Sequence, residues 1–396
     1  MADKSKKATI TGLNQLFRIS KIEGNRTGIV KKIDALEDTG GSVLGTKNIT
    51  QIVLDIESNK FKYHESLPFQ ESINLFKSLY QNDRYAKWPT SFSTCKKCEF
   101  QCSDEEEQKG SKSGFKECFS QQHKWANIDF DKPNIFDIYD FRKGVKLFEQ
   151  GSYFKSELTA ESIGLKEEPD RLTTSHRQWL QIVKEVNGDT SIYVDKFGLK
   201  KEIESWVFPL HFIDFETSTV ALPFNKGVRP YEQIAFQFSH HVYYEDGRIE
   251  HANEYINNKA GVFPNFEFIR ALKNALTIDE GTILKYSPHE NTILNAIYVQ
   301  LLDSEEIDKE ELITFIHDIS HSKKDSAIKW KGDRDMVDLW DIEKRYYYNP
   351  LTKGSNSIKD VLPAALNSSK YLKNKYNQPI NKIDISSKNF PEDHIW

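Results

Sequence analysis

The pattern of apolar and polar positions separates an irregular first half of the chain from an orderly second half. From residue 207 onward, short apolar runs are separated by polar turns. The runs Pro209–Glu216, Gln233–Tyr244 and Ile249–Ile256 predict three successive strands, and the polar turn Glu245–Arg248 joins the last two. These three strands are the strongest secondary-structure signal in the sequence.

After the third strand the apolar spacing alternates between helical and extended. It predicts a helix at Pro264–Ala275, a strand at Gly281–Tyr286, a helix at His289–Leu302, a short strand at Met336–Trp340 and a serine-capped helix at Ser357–Leu366. Three strands followed by alternating helices and strands is the element order of a ribonuclease H-like fold, although order alone leaves other α/β folds open. We therefore predict an α/β fold with a ribonuclease H-like mixed sheet and flanking helices, preceded by a small cysteine-cluster α+β region.

The first half gives weaker signals. Gln51–Ile56 predicts a strand, whereas Pro68–Leu79, Ser175–Val186 and Lys196–Trp206 have helical spacing. The predicted domain organisation is a remnant of a RecB-like nuclease half at residues 1–85, a cysteine-cluster segment at 86–150, a helical linker at 151–205 and a ribonuclease H-like domain at 206–396.

Composition and charge narrow the class of protein. A hydrophobic content of 38% and a charged content of 29% are typical of a globular chain, and its apolar runs are far shorter than the roughly 18–20 residues needed to cross a bilayer. Since no apolar segment follows the polar start of the chain, we expect a cytoplasmic, bacterial protein without a membrane partner. The net charge of −5 offers no overall attraction to nucleic acid, so binding depends on local patches such as the lysine-rich Lys344–Lys388, which is otherwise a solvated surface.

A pair of acids in the first predicted strand is the sharpest chemical signal. Asp214 and Glu216 point to the same face, because side chains alternate along a strand. Two carboxylates within an otherwise apolar strand are costly to bury unless a cation lies between them, and Mg²⁺ or Mn²⁺ prefers such oxygen ligands. The alternative is a strand end at which both acids face water.

Two later acids extend the pattern. Glu290 follows the predicted strand Gly281–Tyr286 at a helix start, and Asp338 lies in a short apolar strand, where the alternative role is a helix cap. The arrangement is similar to that of the DEDD exonucleases, in which an Asp-x-Glu strand, a second acid after a later strand and a final acid hold two metal ions.

Residues from about 175 to 396 also resemble the C-terminal half of a bacterial family of unknown function. In that family a RecB-type nuclease half and a cysteine cluster precede a DEDD-like domain. The blocks that carry the resemblance are Ile213–Thr217, Arg229–His241, Tyr286–Glu290, Val337–Leu339, Tyr347–Pro350 and Gly354–Leu366.

The resemblance implies a catalytic, two-metal site for Mg²⁺ or Mn²⁺. It implies that Asp214, Glu216 and Glu290 bind the metal, with Asp338 nearby as a fourth catalytic acid. The substrate-contacting residues that we assign from the same blocks are Arg229, Tyr231, His289 and Lys359. Arg229 and Lys359 are expected to contact phosphate, the latter from a helix start.

The chain departs from the family pattern in two places. Ser287–His289 stands where family members have an Asn and a Phe before the second acid, so His289 either replaces them without effect or shifts Glu290. The family's final acid lies in a downstream Tyr-Cys-x-x-Asp stretch, and no Tyr-x-x-x-Asp follows Gly354 before Trp396. We expect either a truncated chain or an incomplete, weakly active site.

All four cysteines, Cys95, Cys98, Cys102 and Cys118, lie within 24 residues. In a reducing cytoplasm, clustered thiols bind a metal more often than they form disulfides, and four cysteines suit Zn²⁺ or a [4Fe-4S] cluster. The resemblance favours iron–sulfur, and unrelated surface thiols are the alternative. A RecB-type Asp and Glu-x-Lys set is not reproduced, because the spacing of Asp55, Glu57 and Lys60 is off by one residue.

The sequence thus predicts a metal-dependent nuclease, with a 3′–5′ exonuclease on single-stranded DNA or RNA as the leading hypothesis. The main alternative is a non-catalytic module that binds nucleic acid or assembles a complex. A purely structural metal-cluster protein is a third possibility, but it leaves Asp214 and Glu216 without a role.

Overall fold

The computed structural model describes residues 50–395, apart from residues 63–65, 86, 170, 222, 226 and 260, and two short strands before them. These strands, β1 (Ile19–Ile22) and β2 (Arg26–Ile29), pair in antiparallel fashion. The rest of the predicted RecB-like remnant before residue 50 lies outside the described residues. The chain forms two compact units: the aromatic unit, Lys47–Tyr193 with Tyr348–Ser355, and the sheet unit, which includes Val194–Tyr347 and Asn356–Trp396.

The aromatic unit is built from short helices. They are α1 (Thr50–Glu57), α2 (Phe69–Gln81), α3 (Phe92–Cys95), α4 (Asp104–Gln108), α5 (Gly114–His123), α6 (Gly144–Glu149), α7 (Ala160–Ile163) and α8 (Thr174–Val186), with 3₁₀ turns at Asn127–Asp129, Ile135–Asp137 and Lys155–Glu157. Their core is rich in aromatic rings, and Phe119 at its centre contacts Phe115, Trp125 and Phe136.

The predicted strand at Gln51–Ile56 is wrong, because these residues lie in helix α1. Gln51 donates a hydrogen bond to Asp55 over 2.9 Å, a contact between side chains four residues apart that only a helix brings together. Lys60 donates to the same carboxylate over 3.0 Å. A six-residue apolar run fits either structure, and here the contacts of a helical turn decide it.

The sheet unit follows the aromatic unit in the sequence. Its elements begin with β3 (Tyr193–Val194), α9 (Lys196–Glu204), β4 (Leu210–Ser218), β5 (Ile234–Tyr243), β6 (Ile249–Ile256), α10 (Asn265–Leu276), β7 (Ile283–Lys285), α11 (His289–Leu302) and α12 (Lys309–Ile319). They continue with β8 (Val337–Asp338), α13 (Leu339–Tyr346), β9 (Tyr347–Tyr348), a 3₁₀ turn at Pro350–Thr352 that belongs to the aromatic unit, α14 (Ile358–Ser368), α15 (Lys370–Tyr376), a 3₁₀ turn at Ile380–Lys382 and β10 (Ile385–Ser386).

Six of these strands form one mixed sheet in the order β10-β6-β5-β4-β7-β8. Strand β5 is antiparallel to both β4 and β6. Strand β7 runs parallel to β4, β8 runs parallel to β7, and β10 runs parallel to β6. Strand β4 therefore lies inside the sheet between β5 and β7. The C-terminal ends of the parallel strands β4, β7 and β8 lie at the same edge of the sheet. This confirms the predicted mixed α/β sheet with flanking helices.

The core of the sheet unit is mainly aliphatic. Its buried residues recur at every second position along β4 and at helical spacing along α11. Along β4, Ile213 and Phe215 are buried, whereas the intervening Asp214 and Glu216 are exposed. On α11 the buried residues recur with helical spacing and include Glu290, Ile293, Leu294, Ile297 and Leu301. The first turn of α11 thus carries a carboxylate on the face that the rest of the helix uses for packing.

Most predicted elements of this unit are found close to their predicted bounds. Strand β6 and helix α11 begin and end at the predicted residues. The predicted strand Met336–Trp340 is shorter, because Asp338 caps a helix that begins at Leu339. Within the described residues, no helix combines the length and hydrophobicity that a bilayer span requires.

Candidate active site

Glu290 is the most unusual acid of the sheet unit. Its residue surface is only 2% exposed, and its Oε2 atom has no hydrogen-bond partner. Burial raises the pKa of Glu290 to about 7; the nearby charge of Lys285 opposes this rise, and those of Asp214 and Asp338 add to it. A buried carboxylate oxygen without a donor is costly, and a bound cation is one way to satisfy it.

Asp214 and Glu216 reach the site from the central strand. Since both are exposed on β4, their side chains can rotate without breaking the core that Ile213 and Phe215 form on the other face. The charge of Asp214 acts directly on Glu290. His289, next to Glu290, has its Nε2 atom 3.2 Å from the Thr217 hydroxyl. The first turn of α11 therefore lies beside the end of β4 that carries both acids.

Asp338 belongs to the same group but has a different role. Its Oδ1 atom accepts hydrogen bonds from the backbone N–H groups of Ser287 (2.8 Å) and Trp340 (3.0 Å), the second of which caps α13. Its Oδ2 atom accepts from Lys285 Nζ over 2.8 Å. The helix-cap role considered from sequence is thus correct, and Asp338 also helps to fix the turn that leads to Glu290.

Lys285 is a candidate site residue that no sequence pattern indicated. It ends β7, is 3% exposed, and donates to both Asp338 and the Ser287 carbonyl. A lysine inside an apolar strand gives a weak signal by itself, but a buried lysine requires a partner, and the parallel register places Asp338 opposite it. A cavity of about 570 Å³ borders this pair, and Trp340 and Arg345 form part of its wall.

The predicted substrate-contacting residues are not all brought together. Arg229 lies 3.7 Å from Asp303, the residue that ends α11. Because an α-helix rises 1.5 Å per residue, this contact lies about 20 Å along the helix axis from Glu290. The structure therefore does not bring the Arg229 guanidinium to the acids. Tyr231 is 60% exposed in the same loop, with a backbone φ of 60°.

Lys359 lies near the end of β7. The Tyr286 hydroxyl donates to the Asn356 carbonyl over 2.7 Å, which ties the start of α14 to the residue that follows Lys285. Ser357 caps α14 by accepting a hydrogen bond from the Lys359 N–H, and the Lys359 side chain is exposed in the first helical turn. An exposed lysine at a helix N-terminus is suited to contact an anion.

The basic segment Lys344–Lys388 is partly neutralised at its start. Lys344 and Arg345 both pair with Asp341, over 2.6 Å and 3.1 Å, and the Lys344 ammonium lies 3.4 Å from the centre of the Trp340 ring. These contacts reduce the free positive charge of the segment near the cavity.

The cysteines of the aromatic unit line two cavities. Cys95, Cys98 and Cys118 line a mostly apolar cavity of about 870 Å³, whose wall also contains Tyr85 and Trp88. Cys102 lines a second cavity of about 770 Å³, and its Sγ atom donates to the Lys112 carbonyl over 3.1 Å. Burial raises the pKa of Cys95, and the neighbouring Cys98 and Cys118 raise it further.

As placed, the described His, Cys, Asp and Glu side chains form no group of three or more that could hold a metal ion. The residues at both sites suit metals by type: oxygen ligands around Glu290 for a hard cation, and sulfur ligands around Cys95 for zinc or iron.

Comparison with known families gives one match, which covers part of the sheet unit. Residues 211–357 match a family described as Domain of unknown function (DUF2779). The match begins in β4 and ends at the residue that caps α14, so it contains Asp214, Glu216, Lys285, Glu290 and Asp338. No curated protein and no solved structure matches the chain.

Proposed function

We propose that the sheet unit is a metal-dependent nuclease that hydrolyses phosphodiester bonds of single-stranded DNA or RNA as a 3′–5′ exonuclease. The observation that carries the proposal is the buried Glu290, whose Oε2 atom has no partner and whose helix begins beside the end of β4, the strand that carries Asp214. A divalent ion stabilises carboxylates that lie at the C-terminal ends of neighbouring parallel strands. Enzymes that catalyse phosphoryl transfer use such metal-binding carboxylates.

The sheet supports the same proposal. If β4 is counted as the first strand, the order β6-β5-β4-β7-β8 is 3-2-1-4-5, with the first three strands antiparallel and the last two parallel to the first. The proposed ribonuclease H-like fold calls for the same strand order and directions, so the sheet supports the proposal. Asp214 and Glu216 lie on the first of these strands and Glu290 lies in the first turn of the helix after the fourth, so the acids that the resemblance implies as metal ligands come from neighbouring elements of the sheet unit.

Each residue has a role in this proposal. Asp214, Glu216 and Glu290 would hold Mg²⁺ or Mn²⁺, which when bound activates water and stabilises the leaving oxygen of the phosphodiester. Lys359 would contact a backbone phosphate from the start of α14. Asp338 orients the turn that carries Glu290 through its bond to the Ser287 N–H.

The cysteines form the second part of the proposal. We infer that Cys95, Cys98, Cys102 and Cys118 bind one structural Zn²⁺ or iron–sulfur centre. Three of the sulfurs already face one cavity. Ligation by Cys102 requires its Sγ atom to leave the Lys112 carbonyl.

The nuclease proposal is tested with labelled single-stranded DNA and RNA in Mn²⁺. We expect shortening from the 3′ end that falls at least about 100-fold in Asp214→Ala, because loss of a metal ligand removes electrostatic stabilisation of the transition state. Asp246→Ala is the matched control, since Asp246 is an exposed aspartate in the β5–β6 turn of the same sheet. Binding without cleavage in either protein would favour the non-catalytic alternative, and cleavage that survives Asp214→Ala would refute the site.

A further inference from the structure

A buried ammonium group lies among the acids. Lys285 Nζ donates to Asp338 Oδ2 over 2.8 Å and to the Ser287 carbonyl over 2.7 Å. An ammonium has three N–H donors, so these contacts use two of them. The positive charge also acts on Glu290, which lies in the first turn of the next helix. Lys285 thus already supplies one positive charge to this group of carboxylates.

Asp338 is committed to contacts within the protein. Oδ1 accepts two backbone hydrogen bonds, and Oδ2 accepts from Lys285. To bind a metal ion, Asp338 would have to give up its ion pair or the cap of α13. Glu290 is the opposite case, because its Oε2 atom is buried and has no partner. Within the group, the carboxylates with oxygens available to an ion are therefore Asp214, Glu216 and Glu290.

The charges of the group favour one ion over two. When Glu290 is ionised, Asp214, Glu216 and Glu290 carry three negative charges, which one divalent ion reduces to a net charge of −1 and two such ions would turn into a net positive charge. The Lys285 ammonium, which is paired with Asp338, also occupies the Oδ2 atom through which Asp338 would bind a second cation without losing its two backbone hydrogen bonds.

We propose that this site binds a single divalent ion through Asp214, Glu216 and Glu290, and that the Lys285 ammonium takes the place of a second ion. This inference rests on the proposed nuclease function, which it refines from a two-metal to a one-metal site. Lys285 supplies the charge that faces the substrate phosphate, and Asp338 is the positioning residue that holds the ammonium. The arrangement requires no residue beyond those that β4, β7, β8 and α11 bring together.

The number of ions is measured by calorimetric titration of the full chain with Mn²⁺. The double variant Asp214→Asn/Glu290→Gln is titrated in the same way. The number of ions bound by the unaltered chain minus the number bound by the double variant is the number of ions at this site, because Mn²⁺ bound elsewhere contributes equally to both. We expect a difference of one ion. Electron paramagnetic resonance of the loaded chain should show an isolated Mn²⁺ rather than a coupled pair.

Variants of the lysine test its role. Lys285→Met frees Asp338, so we expect the count to rise from one to two, with a coupled Mn²⁺ pair and a cleavage rate reduced at least about tenfold. If Lys285→Met does not fold, Lys285→Met/Asp338→Asn removes both charges and should keep the count at one while cleavage still falls. Lys273→Met is the matched control, because Lys273 pairs with Glu311 on the surface, and it should change neither quantity.

The outcomes separate this inference from the proposed function. Two ions in the unaltered chain, or normal cleavage in the lysine variants, would overturn the inference and leave the nuclease standing. One ion without any cleavage would support the ion count and overturn the nuclease. No ion lost in Asp214→Asn/Glu290→Gln would overturn both.

Discussion

The acidic site of the sheet unit and the cysteine cavity of the aromatic unit are built on different kinds of scaffold. Asp214 and Glu290 sit on a nine-residue strand and a 14-residue helix, whose regular periods fix where each side chain points. The cysteines lie on short helices and the loops between them, such as α3 with four residues. Long, regular elements bring together side chains that are far apart in the sequence. The positions of side chains on short elements depend instead on helix caps and on packing against neighbouring residues.

The strongest test of this difference is removal of the cysteine centre. A structural metal contributes on the order of 10 kcal/mol to the folding of a small site, so its loss should open the aromatic unit. Protein purified without oxygen should carry one Zn²⁺ or one iron–sulfur cluster per chain, and Cys98→Ser or Cys118→Ser should lose most of it. Metal analysis and hydrogen exchange of residues 92–125 measure both effects.

Cys102→Ser is the informative variant of this set. If Cys102 leaves the Lys112 carbonyl to become the fourth ligand, this variant should lose metal as the others do. Full metal content in Cys102→Ser would leave a three-cysteine site, and the absence of near-stoichiometric zinc or iron in the unaltered chain would contradict a metal centre.

The next largest effect is the pH dependence of the acidic site. Folding raises the pKa of Glu290 from its usual 4.5 to about 7, so the folded chain favours the neutral carboxyl group. The protonated Glu290 therefore stabilises the folded chain fully below pH 4.5, and this stabilisation is lost as the pH rises through 7. A shift of this size corresponds to about 3 kcal/mol. Without divalent ions, Glu290→Gln should therefore match the unaltered chain near pH 4.5 and exceed its stability by about this amount at pH 8 and above.

Hydrogen exchange in β4 and α11 measures this difference region by region. Mn²⁺ at pH 8 should stabilise the unaltered chain and leave Glu290→Gln nearly unaffected, because only the ionised carboxylate binds the ion. A difference between the two proteins that does not change with pH would contradict the burial of an unpartnered Glu290.

The smallest effect concerns a helix cap in the aromatic unit. Ser113 accepts a hydrogen bond from the Lys116 N–H and begins α5, the helix that carries Cys118. Ser113→Ala should cost about 1 kcal/mol, the usual value of such a cap. If short elements do depend on their caps, this variant should also bind its metal more weakly. Unchanged metal affinity would show that packing around Phe119 is sufficient to hold the helix.

The sequence predicted the elements of the sheet unit well where apolar residues recur at a regular spacing. The alternation along β4 and the spacing along α11 identified both elements and exposed Asp214, Glu216 and Glu290 as candidates. The same reasoning was wrong at Gln51–Ile56, because a short apolar run has no period long enough to distinguish a strand from a helix.

The spacing of apolar residues does not predict contacts between residues that are far apart in the sequence. The bond between Lys285 and Asp338 joins residues 53 positions apart, and only the parallel pairing of β7 and β8 brings them together. The contact of Arg229 with Asp303 likewise depends on where a loop crosses the far end of α11. Neither position carries a local pattern that indicates its partner.

The central claim is that Asp214 and Glu290 share a divalent cation. It is tested most directly by anomalous diffraction from crystals of the full chain soaked in Mn²⁺. We expect one strong peak at about 2.0–2.6 Å from carboxylate oxygens of Asp214 and Glu290, with Lys285 still bound to Asp338. Peaks that avoid Glu290, or a Glu290 that remains without a partner in Mn²⁺-soaked crystals, would contradict it.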